Sequence, residues 1–177
     1  MIFAFLRNLF TPKTATHSAG TPPLTSSAIT PSTSASAKPS ARSIKGAYKH
    51  YKNVPMDKWR WPNFTPQEVA SNGDYSVILH FETLDKMQAL RNAMGSQLVV
   101  NSWYRDVTHN KRVGGGAKSM HLKGQAVDIS IFGHDPKKLY AEAKAAGFTG
   151  FGFYDTFLHV DTGIRRSWGK AGAKFTS

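Results

Sequence analysis

An aspartate in the middle of an apolar strand constrains this chain more than any other residue. The run Gln125-Ala-Val-Asp-Ile-Ser-Ile131 alternates. Ala126, Asp128 and Ser130 fall on one face, and Val127, Ile129 and Ile131 on the other. Aspartate is depleted in strands, and a carboxylate buried there without a partner is costly. Asp128 therefore needs a cation, either an arginine or a metal. Gly124 permits a sharp bend that brings His121 back over the same face. A second short run, Phe157-Leu-His-Val-Asp161, puts Phe157, His159 and Asp161 on one face and sends Leu158 and Val160 to a core. If the two strands are neighbours, His121, Asp128 and His159 converge. Two imidazoles and one carboxylate leave a fourth position for water, which is the donor set of an open tetrahedral zinc site. Such a metal lowers the pKa of water and polarises a carbonyl. The chain has no cysteine, so any metal site must use His, Asp or Glu. On spacing alone, a structural His–Asp hydrogen bond is the commoner reason for such a pair.

The surrounding pattern gives an α+β class. Thr65-Pro-Gln-Glu68 is a capping box with proline at the first helical position. Glu82–Met94 carries Leu84, Met87, Leu90 and Met94 on one face and ends at Gly95. Gln97–Trp103 is expected to be a strand. Asp106 opens a short helix through Val113, stopped by Gly114–Gly116. Asp135-Pro136 opens another, with Leu139, Tyr140, Ala143 and Ala146 inward, stopped at Gly147. Without a βαβ rhythm, the expected sheet is small and mostly antiparallel, carries the zinc site and is flanked by helices.

The 177 residues suffice for one ordinary domain. Three parts are expected: a short apolar segment (1–10), a flexible linker rich in Ser, Thr, Ala and Pro (11–44), and the zinc-bearing domain (45–177). No stretch approaches the roughly 20 apolar residues of a membrane span. In Met1–Phe10, Arg7 follows the apolar residues rather than preceding them, so no clear secretory signal is expected; a weak amphipathic anchor or a frayed terminus fits. The net charge is +12, of which the first 44 residues carry four basic residues and no acidic one. The excess implies a polyanion, such as an anionic cell envelope or membrane surface. No nucleic-acid-binding signature accompanies it, so no specific nucleic-acid partner is expected.

Ser119-x-His121-x-x-Gly124-x-Ala126-x-Asp128 resembles the signature of the zinc D-alanyl-D-alanine carboxypeptidase family, which includes phage endolysins cutting the L-alanyl-D-glutamate bond. The match extends to Ser102-Trp-Tyr-Arg105, Asn110, Val113-Gly-Gly115 and His159-Val-Asp-Thr-Gly163, and covers roughly residues 57–170. The resemblance implies one zinc ion per chain, held by His121, Asp128 and His159, and hydrolysis of peptide bonds in bacterial peptidoglycan stem peptides or cross-links. It implies that Arg105 holds a substrate carboxylate or the oxyanion. Ser119 would orient the ligand loop or substrate, and Tyr104 beside Arg105 would contact substrate. The site of action would be the bacterial envelope or periplasm, for an endolysin-like, phage- or prophage-encoded protein or a bacterial wall-remodelling enzyme. A monomer is expected.

One departure stands out. Many members of the family carry a general-base carboxylate three residues before the last histidine ligand, where this chain has Thr156. Asp161, two residues past His159, is the first substitute, with Asp155 the second. Asp161 can alternatively be an outer partner of a ligand. Without that base, a catalytically inactive zinc-containing cell-wall-binding module is the alternative function. Gly114–Gly116 is expected to rim the site as a loop, and Trp59 and Trp61 to pack the domain edge. The remaining histidines carry no motif and are read as surface or structural.

Overall fold

The computed structural model describes residues 46–169 and Phe175. The apolar segment 1–10 and the stretch 11–44 lie outside the described residues. In chain order the elements are β1 (Ala47–Tyr48), 3-10 turns at Tyr51–Asn53 and Met56–Lys58, α1 (Pro66–Val69), β2 (Val77–Ile78), α2 (Phe81–Met94), β3 (Val100–Ser102), α3 (Val107–Arg112), a 3-10 turn at Met120–Lys123, β4 (Ala126–Ser130), α4 (Pro136–Ala145), β5 (Gly150–Phe153), β6 (Phe157–Asp161) and β7 (Arg166–Gly169). β1 and β2 form a two-stranded ribbon, and the main sheet has the order β3-β4-β6-β5-β7. Its pairs are antiparallel except β5 with β7. The expected α+β class, with a mostly antiparallel sheet, holds.

Local chemistry sets most boundaries. The Thr65 N–H donates to Glu68 Oε2 at 2.8 Å and closes the capping box of α1. His80 caps α2 one residue earlier than the hydrophobic pattern predicts, its Nδ1 accepting the Thr83 N–H at 3.3 Å. At the other end Gly95 takes φ +64, the left-handed conformation that stops the helix. Asp106 and Asp135 cap α3 and α4 as expected.

Two expectations need correction. The strand predicted over Gln97–Trp103 is confined to Val100–Ser102. The Leu98 carbonyl is taken by the Arg91 guanidinium instead of a ladder partner, and the register against β4 shifts between Val100 and Ser102. Strands β5 and β7 were not predicted, because Gly-Phe-Gly-Phe reads as turn-like when glycine is depleted in strands.

One face of the sheet is apolar. Val127, Ile129, Phe151, Phe153, Leu158 and Val160 pack against Leu84, Met87 and Leu90 of α2 and Leu139 and Ala143 of α4. Each such side chain contributes about 1.5–3 kcal/mol on burial, which fixes the strand phase firmly. Because side chains alternate, that phase forces Asp128, His159 and Asp161 onto the opposite face. Trp61 is buried and its indole N–H donates to Asp85 Oδ1 at 2.7 Å. The indole N–H of Trp59 donates to the Trp61 and Phe64 carbonyls. Both tryptophans pack the domain rather than present a stacking platform. Among the described residues no helix is long and apolar enough to cross a membrane.

Candidate metal centre

β4 and β6 pair with Asp128 directly opposite His159. His159 Nδ1 lies 2.8 Å from Asp128 Oδ1. His121 arrives from the turn that precedes β4. Ser119 caps that turn and accepts the His121 N–H at 3.3 Å. Gly124, at φ +68, then swings the chain into β4, and a Cβ there would stand 2.6 Å from the Ile78 carbonyl oxygen. Glycine is required at that position by conformation and by space. His121 Nε2 comes within 3.2 Å of His159 Nδ1 and 3.3 Å of Asp128 Oδ1. One ligand atom from each of the three buried residues lies within 4.8 Å of the others.

The far side of each imidazole is occupied as well. His121 Nδ1 is 2.6 Å from the Trp103 carbonyl oxygen. A carbonyl only accepts, so Nδ1 carries the proton and Nε2 turns its lone pair inward. His159 has a carboxylate at each nitrogen, Asp161 Oδ2 at 3.2 Å from Nε2 and Asp128 Oδ1 at 2.8 Å from Nδ1; with a metal bound, Asp161 would keep the Nε2 proton and Nδ1 would be the inward donor atom. In the metal-free protein, protons on the inward nitrogens can bridge them to the Asp128 carboxylate, and a metal ion would take the place of those protons. The donor set and its outer partners fit zinc.

Arg105 pairs with the second oxygen of Asp128. Its Nε donates to Ser102 Oγ at 2.7 Å, and its backbone N–H to the His121 carbonyl at 3.1 Å. Burial alone would raise the Asp128 carboxyl, but hydrogen bonds to His121 and His159 outweigh it and hold the group well below the usual carboxylate range.

Two cross-strand rows organise this face. Asp128, His159, Gly152 and Trp168 lie side by side on β4, β6, β5 and β7, and Ala126, Asp161, Gly150 and Arg166 form the row beneath. The missing side chains on β5 let residues of β7 lean across it. Trp168 reaches His159, with ring centroids 5.0 Å apart. Arg166 grips both oxygens of Asp161, at 3.1 and 2.7 Å. Asp161 is fully buried and also accepts the Gly163 N–H at 2.8 Å. Burial would raise its carboxyl, but the His159 and Gly163 hydrogen bonds and the Arg166 charge prevail and lower it.

An open cleft of ≈ 440 Å³ contains the three residues in its lining, together with Gly114–Gly116, Lys118, Ser119, Tyr154, Phe157, Trp168, Arg105 and Arg166. A larger hollow of ≈ 620 Å³, lined by Phe64, Glu68 and Arg91, contains none of these residues. The glycine loop rims the site as expected. Other sequence expectations land elsewhere. Tyr104 is no part of the cleft wall; its hydroxyl is hydrogen-bonded to Ser76. Asp155 is exposed on the β5–β6 turn and does not line the cleft. Asp161 sits behind His159, its oxygens engaged by His159, Gly163 and Arg166, which is the geometry of an outer partner rather than of a group facing substrate. Sequence reasoning passed over Arg166, Trp168, Tyr154 and Lys118; the first two depended on recognising β7.

A pH test follows for the metal-free protein. Burial would lower the His159 pKa, but hydrogen bonds to Asp128 and Asp161 raise it above its ordinary 6.5. A raised imidazole pKa stabilises the fold below about pH 6.5, and that contribution is lost as pH climbs through the raised value. Zinc requires the neutral ring, so its stabilisation grows over the same interval. The melting-temperature gap between zinc-loaded and chelator-treated protein is expected to widen from about pH 6 to about pH 8, measured by calorimetry.

Residues 62–161 match the model of the family described as peptidase M15. The chain is 36% identical over 92 residues to the zinc D-Ala-D-Ala carboxypeptidase of Streptomyces albus G, an alignment covering 49% of this chain and 36% of that protein. It is 34% identical over 102 residues to the probable peptidoglycan L,D-endopeptidase MepK of Haemophilus influenzae, covering 54% of this chain and 53% of the relative. Against the peptidoglycan L,D-endopeptidase MepK of Escherichia coli K12 it is 32% identical over 93 residues, 48% and 51% of the two chains. The chain thus spans between about a third and a half of the length of these relatives. Because the family match runs over more than half of the sequence and ends on the strand that carries His159, the chain belongs to the peptidase M15 family.

Proposed function

We propose that the chain is a zinc peptidase that cuts peptide bonds of bacterial peptidoglycan, with His121 Nε2, Asp128 and His159 Nδ1 holding one zinc ion. The observation that carries this reading is the convergence of one ligand atom from each of three buried residues, with an acceptor behind each imidazole to hold its other proton. Zinc held there supplies a Lewis acid and a water of lowered pKa. The chain's own residues do the rest. Arg105 lies in the cleft beside Asp128 and offers its remaining donors to a substrate carboxylate or to the oxygen of the scissile carbonyl. Ser119 holds the turn that presents His121. Asp161 orients His159, and we give Asp155 no catalytic part. The cleft carries Arg105, Lys118 and Arg166 on its walls, which suits the carboxylate-rich stem peptides of the wall. The net positive charge would keep the protein near the anionic envelope, where an endolysin-like or wall-remodelling role fits, with affinity falling as salt rises.

One observation favours a second reading. Among the described residues no carboxylate other than Asp128 lines the cleft, so a zinc-containing wall-binding module without catalysis is the alternative. Incubating the zinc-loaded protein with purified cell walls, followed by mass spectrometry of soluble fragments, separates the two. Peptide release that a chelator stops and zinc restores is expected, and the fragment masses identify the bond. Tight wall binding with no release would move the assignment to the binding module.

A further inference from the structure

Tyr154 brings a phenol to the wall of the cleft that holds the three candidate metal ligands. It is 42% exposed and lines the cleft together with His121, Asp128 and His159. Its ring lies flat on Phe157, with centroids 4.2 Å apart and planes 13° from parallel. Its hydroxyl oxygen accepts the Trp168 indole N–H at 3.1 Å. An indole N–H can only donate, so that contact leaves the phenolic proton uncommitted. That proton is available for a second hydrogen bond. Trp168 is itself anchored over His159 at 5.0 Å and under the Arg166 guanidinium at 5.1 Å. The phenol is thus held in place by a stack and a hydrogen bond before any ligand arrives.

Its position complements Arg105. Strand order puts Arg105 at the β3 flank of the central β4–β6 pair, and the Tyr154–Trp168 pair on the β5–β7 flank. A peptide laid across β4 and β6 would have Arg105 on one side and, on the other, the Tyr154 phenol beside Arg166, whose guanidinium is already engaged by Asp161. Ser119 is the other hydroxyl-bearing alcohol in the wall, but it serves the His121 turn and is a weaker acid than a phenol. We infer that Tyr154, oriented by Trp168, donates a hydrogen bond to the oxygen of the scissile carbonyl as negative charge builds on it. Fixed donors aimed at developing charge are among the largest contributors to catalysis. Tyr154 would then be a catalytic residue of the peptidase reading, on which this inference rests.

The test compares wild type with Tyr154→Phe, both zinc-loaded, on one defined muropeptide. Phenylalanine keeps the stack on Phe157 and removes only the hydroxyl. The expected result is a kcat lower by roughly 10–100-fold with KM within about twofold, and unchanged zinc content and melting temperature. A phosphinate analogue of the same peptide, measured by calorimetry, should bind the variant more weakly by a similar factor, while the cleaved product binds both equally. A variant that cleaves as fast as wild type overturns the role of Tyr154 and leaves the peptidase reading standing. A variant that loses zinc or melts early also overturns it, because the hydroxyl is then structural. Wild type that releases nothing overturns the peptidase reading and the role of Tyr154 with it.

Discussion

Zinc affinity is expected to fall in the His159→Ala protein by more than the roughly 10–100-fold that loss of an outer ligand partner costs, and peptide release is expected to vanish with it. Among the described residues, His159 is the one that touches every layer of the centre. Its Nδ1 faces Asp128 and His121, its Nε2 faces Asp161, and its ring lies against Trp168. Removing it leaves one imidazole and one carboxylate, too few protein donors for a stable four-coordinate site. The fold should nevertheless survive. Asp128 keeps Arg105 and Asp161 keeps Arg166, so no buried charge is orphaned, which is the usual cause of large losses. At about pH 8, where the stabilisation by a charged His159 fades, metal-free wild type and metal-free variant should therefore melt within a few degrees of each other. Asp161→Asn provides the graded comparison, since it keeps the shape but weakens the hold on Nε2; its zinc affinity should fall within the 10–100-fold range. Zinc titration by calorimetry, with circular dichroism as the folding control, reads all three proteins. A His159→Ala protein that binds zinc as tightly as wild type would remove the residue from the ligand set.

How much of this was legible in the sequence depends on which force set each feature. The apolar phase of β4 and β6 was legible because burial dictates it: Val127, Ile129, Leu158 and Val160 can only face the core. Once that phase is fixed, Asp128 and His159 must share the other face. That His121 joins them was legible from Gly124 and the motif spacing. What could not be read was lateral order. Nothing in Gly-Phe-Gly-Phe announces a strand between β6 and β7, because its information lies in what the glycines leave empty. With β5 and β7 unseen, the sequence leaves Asp161 as either the general base or an outer partner of a ligand. The Arg166 that occupies it comes from a strand with weak local preference, recruited by pairing with β5. Tyr104 lies off the cleft for a related reason. Its neighbour Arg105 turns into the cleft while the Tyr104 hydroxyl goes to Ser76, since consecutive side chains in an extended segment point apart.

The empty positions on β5 give the second large effect. A Cβ at Gly150 would run into the Asp161 carboxylate, whose carbon and both oxygens are its nearest neighbours. That carboxylate has nowhere to go. It is fully buried and held by His159, Gly163 and both terminal nitrogens of Arg166. Gly150→Ala must therefore either bend β5 away from β6 or break the ion pair. Overpacking alone costs about 1–3 kcal/mol, and breaking a buried pair costs about 3–5 kcal/mol. Arg166 keeps 34% of its side chain in water, which brings the second figure down. A loss of about 3 kcal/mol is expected, a drop in melting temperature on the order of 10 °C for a domain of this size, together with weakened zinc binding. Gly152→Ala provides the contrast one residue pair along. Its Cβ would meet the Trp168 ring at 2.7 Å, and that ring, on the edge strand β7 and incompletely buried, is expected to tilt outward. The stability cost there should be nearer 1 kcal/mol, while tilting the ring breaks the indole's hydrogen bond to Tyr154 and its contact with His159. The two alanines thus separate the layers: one removes stability and metal hold through Asp161, the other changes tryptophan emission and turnover with the fold intact. Equal and small effects from both would mean that β5 yields easily. The close fit of β7 across it would then not be what holds His159 in place.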